Sequence, residues 1–337
     1  MTLLSTTPTL EPLGRSIDLS IVVPAYNEEQ VLPVFHQRLS AVLDKLALVC
    51  EVIYINDGSR DTTVAVIEGL RAADDRVALV DLSRNFGKEI ALTAGLDFAK
   101  GKWVVVIDAD LQDPPELIPE LIEHARQGFD VVYAKRTARE GETALKKATA
   151  YGFYRLMRSL SRVPIPEDTG DFRLLSRRAV DALKTLREHH RFMKGLFAWI
   201  GYKQKAVEYQ RDARFAGKTK WNYLKLWNFA VTGITSFTIA PLRMATLFGL
   251  LVAFLSFAYG VYFIVRTLIF GNPVPGYPSL LVIMTMLGAV QLITLGIMGE
   301  YLGRMFDESK NRPLYLINAY MAAKIGEDSS PVTDTKV

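Results

Sequence analysis

One cysteine, Cys50, stands among 337 residues. This excludes an intrachain disulfide and a cysteine-based zinc site, and leaves Cys50 as a small buried apolar residue. The four histidines, His36, His124, His189 and His190, show no metal-ligand spacing. Gly-x-Gly-x-x-Gly and Gly-x-x-x-x-Gly-Lys-Ser/Thr are both missing, so neither a Rossmann dehydrogenase nor a P-loop ATPase is expected. Met1 to Gly14 lack the charged and apolar regions of a signal peptide. A disordered leader over 1–16 and a first domain that stays in the cytoplasm are expected. Charge itself is missing from two long runs, Met244–Val265 and the residues between Arg266 and Glu300.

Half of the residues are hydrophobic, which allows two units instead of one core. The formal charge is only +4, but it is unevenly spread. Between Val131 and Lys220, 21 Lys and Arg stand against 9 Asp and Glu, out of chain totals of 40 and 36. A basic middle points to a polyanionic partner: phosphates, anionic lipid or nucleic acid. Within it, residues of about 145–163 read as a helix. Phe153, Leu156, Met157, Leu160 and Val163 recur at helical spacing, with Arg155, Arg158 and Arg162 on another face. That suits an interfacial helix on anionic lipid, or an ordinary surface helix. Further on, Arg211, Arg214, Lys218 and Lys220 surround Gly217, a pattern for a diphosphate or lipid phosphate, or a solvated charge run.

The 22 uncharged residues from Met244 to Val265 are long enough to cross a bilayer core of about 30 Å. A second span is expected at about 279–299, with Asn272, Pro273, Pro275 and Gly276 in the turn between. Residues 243–304 thus form a two-helix transmembrane hairpin. Arg243 flanks one side and Arg304, Lys310 and Arg312 the other, against Arg266 alone near the turn. The positive-inside rule then places the large domain and both termini in the cytoplasm. Trp221, Tyr223 and Trp227 mark 221–242 as an interfacial segment, and 305–337 is expected to be a cytoplasmic tail.

Residues 17–220 read as five strands alternating with helices: an α/β domain with a doubly wound, mostly parallel sheet. Asn27 is expected to cap the first helix and Asp61 the second. Val104 to Ile107 are four β-branched residues in a row, a strand buried on both faces. Asp108-Ala-Asp-Leu-Gln-Asp-Pro-Pro115 follows at once. Ligands of open α/β sheets bind at the carboxyl ends of strands. In extended backbone Asp108 and Asp110 point the same way, and with the Gln112 amide oxygen they suit a hard divalent cation such as Mg²⁺. The plainer alternative is an aspartate capping the next helix. Tyr26-Asn27-Glu28 and Asp57 fall at two more strand ends on the same edge. Asp171 lies in a short extended segment, Asp168 to Leu175, where it either pairs with Arg173 or a neighbour or takes a catalytic role.

Val23-Pro-Ala-Tyr-Asn-Glu28, Asn56-Asp-Gly-Ser59, Asp108-Ala-Asp-Leu-Gln112, Gly170-Asp-Phe-Arg-Leu174, Arg214-x-x-Gly-x-Thr-Lys220 and Gly299-Glu-Tyr-Leu-Gly-Arg304 form a set. Together they resemble the polyisoprenyl-phosphate glycosyltransferases of glycosyltransferase family 2, with the GT-A fold, over roughly 17–315. The two-span end resembles the bacterial bactoprenol glucosyltransferase branch. The resemblance implies that Pro24, Tyr26, Glu28, Asp57 and Ala109 lie at the nucleotide sugar. It implies Mg²⁺ or Mn²⁺ on Asp108, Asp110 and Gln112, phosphate contacts from Arg136, Arg214 and Lys220, and a catalytic role for Asp171. The family often has Ser where Thr219 stands, and it varies between Asp and Asn at Asn56.

The implied activity is inverting transfer of a sugar from a nucleotide sugar, UDP-glucose or similar, to polyprenyl (undecaprenyl) phosphate. The product would be a lipid-linked monosaccharide for cell-envelope glycans, made at the bacterial inner membrane. The expected partners are the donor, the lipid acceptor, the membrane and further copies of the chain, a tetramer being the working assembly, with no nucleic acid. Two rivals fit less well. A processive polysaccharide synthase carries Gln-x-x-Arg-Trp, absent here, and more spans. A non-enzymatic scaffold has no need of acids at several strand ends.

Overall fold

A computed structural model describes residues 16–137, 169–209, 240–271 and 276–325. The basic helix expected near 145–163, the loop carrying Arg214 and Lys220, the leader through residue 15, residues 221–239 of the interfacial segment and residues 272–275 of the expected turn lie outside the described residues.

Four apolar runs form the parallel centre of the sheet: β1 (Leu19–Ala25), β2 (Cys50–Asn56), β3 (Val77–Leu82) and β4 (Trp103–Val106). Every residue of β2 and β3 is buried. Alternation sends Ile21, Val23 and Tyr54 into one layer and Val22, Ile53 and Ile55 into the other. Six helices supply those layers: α1 (Leu32–Leu43), α2 (Thr63–Ala73), α3 (Lys88–Phe98), α4 (Ile118–Arg126), α5 (Arg177–Thr185) and α6 (Met193–Trp199). Phe35, Leu39, Ile67 and Leu121 pack α1, α2 and α4 on one face. Leu92, Leu96, Val180, Leu183 and Phe197 pack α3, α5 and α6 on the other.

Beside β5 (Val131–Arg136), the sheet gains β6 (Thr169–Ser176), β7 (Gln204–Tyr209) and β8 (Ile317–Met321). Among the described residues it has eight strands, not five, in the order β7-β5-β6-β4-β1-β2-β3-β8. The segment read only as extended is β6, wedged antiparallel between β4 and β5. Strand β5 therefore does not follow β4 in the parallel array. The span 305–337, expected as a tail, contains β8, which pairs antiparallel with β3. Asn27 does not cap α1, whose N-terminal flanking residue is Val31. Asn27 instead adopts left-handed backbone, φ 55°, and its side-chain oxygen accepts from the Arg60 N–H at 2.8 Å. Asp61 does hold the start of α2, accepting from the Thr63 N–H at 3.1 Å and the Thr63 hydroxyl at 2.6 Å.

Two long apolar helices, α7 (Ala240–Phe270) and α8 (Tyr277–Ser309), follow the domain. Leu242–Phe270 and Val282–Ser309 are each long and apolar enough to cross a membrane, and the apolar window of each buries nothing against the protein. A hairpin belonging to a soluble core would hide one face. The end of α8 is tied back to the domain: the His189 N–H donates to Glu308 at 2.7 Å, and His190 lies 3.3 Å from Asp307.

Candidate active site

The cleft opens at the carboxyl end of the parallel strands. Strand β4 stops at Val106, and Ala109–Asp110 form a turn with Leu111 in left-handed backbone, φ 59°. The expected extended backbone from Asp108 to Asp110 is thus replaced by a tight turn. The β-branched run ends at Ile107, and the polar residues after it bond locally: the Gln112 N–H donates to Asp110 at 3.2 Å. The Ala109 methyl is buried in the core, so the donor contact implied for it would fall to its backbone.

Antiparallel β6 brings Asp171 to this turn. Val106 pairs with Arg173, and the same register carried two residues on sets Asp108 opposite Asp171. Between them reaches Lys88, the first residue of α3. Its ammonium lies 2.7 Å from Asp108 and 2.5 Å from Asp171. The Lys88 side chain is 44% exposed against 9% for Asp171. Burial acts to raise the pKa of Asp171, but Lys88, and behind it Lys194 of α6, outweigh burial and hold it well below the usual carboxylate range. With the Lys88 ammonium against it, the Asp171 carboxylate serves as an anchor for that cation. Arg173, the neighbour weighed as its partner, turns elsewhere. It donates to the Gly170 carbonyl at 2.8 Å and the Asp171 carbonyl at 3.2 Å, and lies 3.8 Å above the Phe197 ring. The second Asp171 oxygen, Oδ1, is buried with no hydrogen-bond partner.

Glu89, next to Lys88, is half-buried and accepts from the Met193 N–H at 2.9 Å. Burial first, and the Asp171 charge second, push its carboxyl up to about 7. Arg136 ends β5, with its Nε 3.4 Å from the Tyr209 hydroxyl, which itself donates to Asp113. The guanidinium crowds Gly170, where a Cβ would stand 3.1 Å from it.

On the other side of the cleft, two loops are laced together. The Asn27 N–H donates to the Ser59 hydroxyl at 3.0 Å and the Glu28 N–H to the Thr63 hydroxyl at 2.9 Å. Pro24 pairs with Ile55 beyond the end of the β1–β4 ladder, where its missing N–H is not needed. Tyr26 and Glu28 are half-buried at the cleft. Asp57 is buried, and its two oxygens accept from the N–H groups of Phe86 at 2.7 Å and Gly87 at 3.0 Å. Burial raises its pKa while those two bonds act to lower it. Gly58 takes φ 63°, and a Cβ there would come within 2.4 Å of the Arg84–Asn85 backbone. Loop 84–87 thus rests directly on the Asp57–Ser59 turn.

Among the described residues no group of three or more His, Cys, Asp and Glu is gathered for a metal. Asp108, Asp110 and the Gln112 amide remain a set of hard oxygen donors at one turn. Two carboxylates with the other positions left to water and phosphate oxygens is the arrangement Mg²⁺ accepts. Burial first, opposed by Lys88 and reinforced by Asp171, raises the Asp108 pKa. The donor set fits a divalent cation.

Sequence reasoning gathered Asp57, Asp108, Asp110 and the Tyr26–Glu28 loop at one edge. It passed over Lys88, Glu89, Lys194, Asp113 and Tyr209. For Lys88 a signal exists, since a lysine in the first turn opposes the helix dipole and needs a tertiary partner.

Residues 20–184 match the model of glycosyl transferase family 2. A bactoprenol glucosyl transferase of Shigella phage SfV is 50% identical over 299 residues, 89% of this chain and 97% of that protein. The chain belongs to glycosyl transferase family 2. An uncharacterized glycosyltransferase of Synechocystis sp. is 52% identical to this family 2 enzyme over 303 residues, 90% of the chain and 95% of the relative. Among solved structures, glucosyl-3-phosphoglycerate synthase from Mycobacterium tuberculosis in complex with Mn²⁺, UDP-glucose and phosphoglyceric acid aligns with a TM-score of 0.46 at 21% identity, over 65% of this chain and 78% of that one.

Proposed function

We propose that this glycosyltransferase moves a sugar, glucose from UDP-glucose in the first instance, to undecaprenyl phosphate with inversion at the anomeric carbon. The observation that carries the reading is Asp108 facing Asp171 across Lys88 at the carboxyl edge of the sheet, in a chain 50% identical to a bactoprenol glucosyl transferase. Asp108, Asp110 and Gln112 would hold Mg²⁺ or Mn²⁺. When bound, that cation offsets the charge that grows on the leaving nucleoside diphosphate.

The chain's own residues do the rest. The laced loops at Tyr26–Glu28 and Asp57–Ser59 take the nucleoside. Arg136, fixed by Tyr209 and Asp113, faces the phosphates. The acceptor oxygen is already anionic near neutral pH, so it needs no strong base. The low pKa of Asp171 suits it to anchoring Lys88 and orienting the acceptor, in preference to taking a proton. Arg214 and Lys220 are proposed as further phosphate contacts from the family motif alone. The two apolar helices suit a protein whose acceptor phosphate lies at a membrane surface, with the catalytic domain and both termini on the cytoplasmic side. Two crossings would bring the chain back to the side it left, as the pairing of β8 with β3 in the same sheet requires.

Purified protein is to be incubated with a panel of labelled nucleotide sugars and undecaprenyl phosphate. A lipid-linked monosaccharide is the expected product. Polymer would point to a processive synthase, and no product from any donor would sink the reading.

A further inference from the structure

The strand beyond the two apolar helices reaches the nucleotide end of the cleft through one side chain. Strand β8 pairs with β3 at Leu79↔Met321, Val80↔Tyr320 and Asp81↔Ala319, and then the register slips so that Leu82 faces Ile317. Asn318 is the residue left over, the extra member of a β-bulge. Bulges re-aim a side chain, and here the Asn318 amide donates to Asp81 at 2.7 Å. Asp81 is buried, and its other oxygen accepts from the Asn56 amide at 2.6 Å. The Asn56 side-chain oxygen accepts from the Ser59 N–H at 3.2 Å, and the Ser59 hydroxyl accepts from the Asn27 N–H at 3.0 Å. An unbroken chain of bonds therefore runs from Asn318 through Asp81 and Asn56 to both loops at the nucleoside end.

The directions of these bonds matter. Asn56 can present its oxygen to Ser59 only while its NH₂ has an acceptor, and Asp81 is that acceptor. A buried carboxylate with one donor removed keeps rotational freedom and an unmet charge. Asn318 supplies the second donor and holds the Asp81 plane.

We propose that Asn318 is a positioning residue of the donor site: through Asp81 and Asn56 it fixes the Asp57–Ser59 turn for the nucleoside diphosphate sugar. The inference rests on the donor-site reading of that turn. It makes the segment after the membrane hairpin part of the donor site and not merely an anchor.

The test uses the full-length protein, with nucleoside diphosphate affinity measured by calorimetry beside steady-state kinetics. Asn318→Ala should raise the donor KM and the nucleotide Kd about fivefold to tenfold, less than the full loss of a bond to a charged group because Asn318 acts through Asp81 and Asn56. Its kcat and acceptor KM should hold within about twofold, because no bond to Lys88, Asp108 or Asp171 is touched. Asn318→Asp sets two carboxylates together and should be worse. Combining Asn318→Asp with Asp81→Asn rebuilds both bonds, the new amide accepting from Asn56 and donating to the new carboxylate, so donor affinity should return. Arg71→Ala is the control. It removes the two bonds from Arg71 to the Ala322 carbonyl, at 3.0 and 3.2 Å, and so loosens the far end of the strand without touching Asp81. It should leave donor affinity unchanged.

Equal donor losses in Arg71→Ala and Asn318→Ala would reduce β8 to a brace and overturn the proposal. So would an unaffected Asn318→Ala, or a swap that restores the melting temperature but not donor affinity. Nucleotide binding by the unaltered protein tests the donor-site reading separately: if it binds none, both readings fall, whereas normal binding with a silent Asn318→Ala removes only the role of Asn318.

Discussion

A lysine in the first turn of a helix faces the positive end of the helix dipole, and Lys88 holds that place in α3. Of the two carboxylates that compensate it, Asp108 follows the end of β4 and Asp171 lies on β6. Asp110, on the turn after β4, carries no core packing, so Asp110→Ala should abolish transfer while the melting temperature stays near that of the unaltered protein. EDTA should do the same reversibly, and Mn²⁺ binding followed by electron paramagnetic resonance should weaken in the variant. Full activity in Asp110→Ala or in excess chelator would remove the metal from this site. Glu89 makes a different prediction. Its folded pKa, about 7, lies above the ordinary 4.5. The stability it contributes is therefore fully present below about pH 4.5 and is lost as pH rises through about 7. Glu89→Gln keeps an acceptor for the Met193 N–H but does not ionise. Its melting temperature in EDTA should match the unaltered protein at pH 5 and exceed it at pH 8. A gain of equal size at both pH values would show that the carboxyl is not strained by its burial.

Helix α3 carries Lys88 and Glu89, so its seating on the sheet sets their reach. At Gly95 the helix presses on β1 and β2, and a Cβ would come within 2.3 Å of a Val22 methyl and 2.7 Å of an Ile55 methyl. Both contacts are tighter than real Cβ atoms make, and Val22 is β-branched and buried, with little room to turn. Gly95→Ala should cost about 2 kcal/mol in a urea melt, as overpacking does, and lower turnover by lifting Lys88 from the two aspartates. Gly69, in α2, has nothing within 4 Å of the added methyl, and Gly69→Ala should stabilise by about 0.5–1 kcal/mol with activity unchanged. If the two variants behave alike, helix propensity and not close approach governs both sites.

The whole chain runs from an α/β domain, out through two apolar helices and back to the edge of the same sheet. Strand β8 covers β3, whose open edge would otherwise invite pairing with another chain. If the two apolar helices cross a membrane, the return of β8 to the same sheet requires that they cross it in opposite directions. In a Cys50→Ser background, a membrane-impermeant thiol reagent applied to intact cells should modify Ser279→Cys, near the turn between the helices, and spare Ser329→Cys. Labelling of Ser329→Cys first would invert the topology.

Periodicity in the sequence marked the alternation of β1 to β4 with α1 to α4, because those strands are almost wholly buried and their ends fall where polar or turn residues begin. It determined the two apolar helices from their missing charge alone. The acids at Asp57, Asp108 and Asp110 were legible because each follows a buried strand directly. Tertiary structure decided the rest. Thr169–Ser176 has too little apolar alternation to announce a central strand; only pairing with both β4 and β5 makes it one, and that pairing sets Asp171 against Asp108. Lys88 and Asp171 are 83 positions apart, and no local pattern joins them. Ile317–Met321 is short and half-exposed, a strand only because β3 offers its edge, and the bulge that aims Asn318 at Asp81 exists only once the two strands are paired. Propensity and burial are written residue by residue, whereas register is a property of two segments at once.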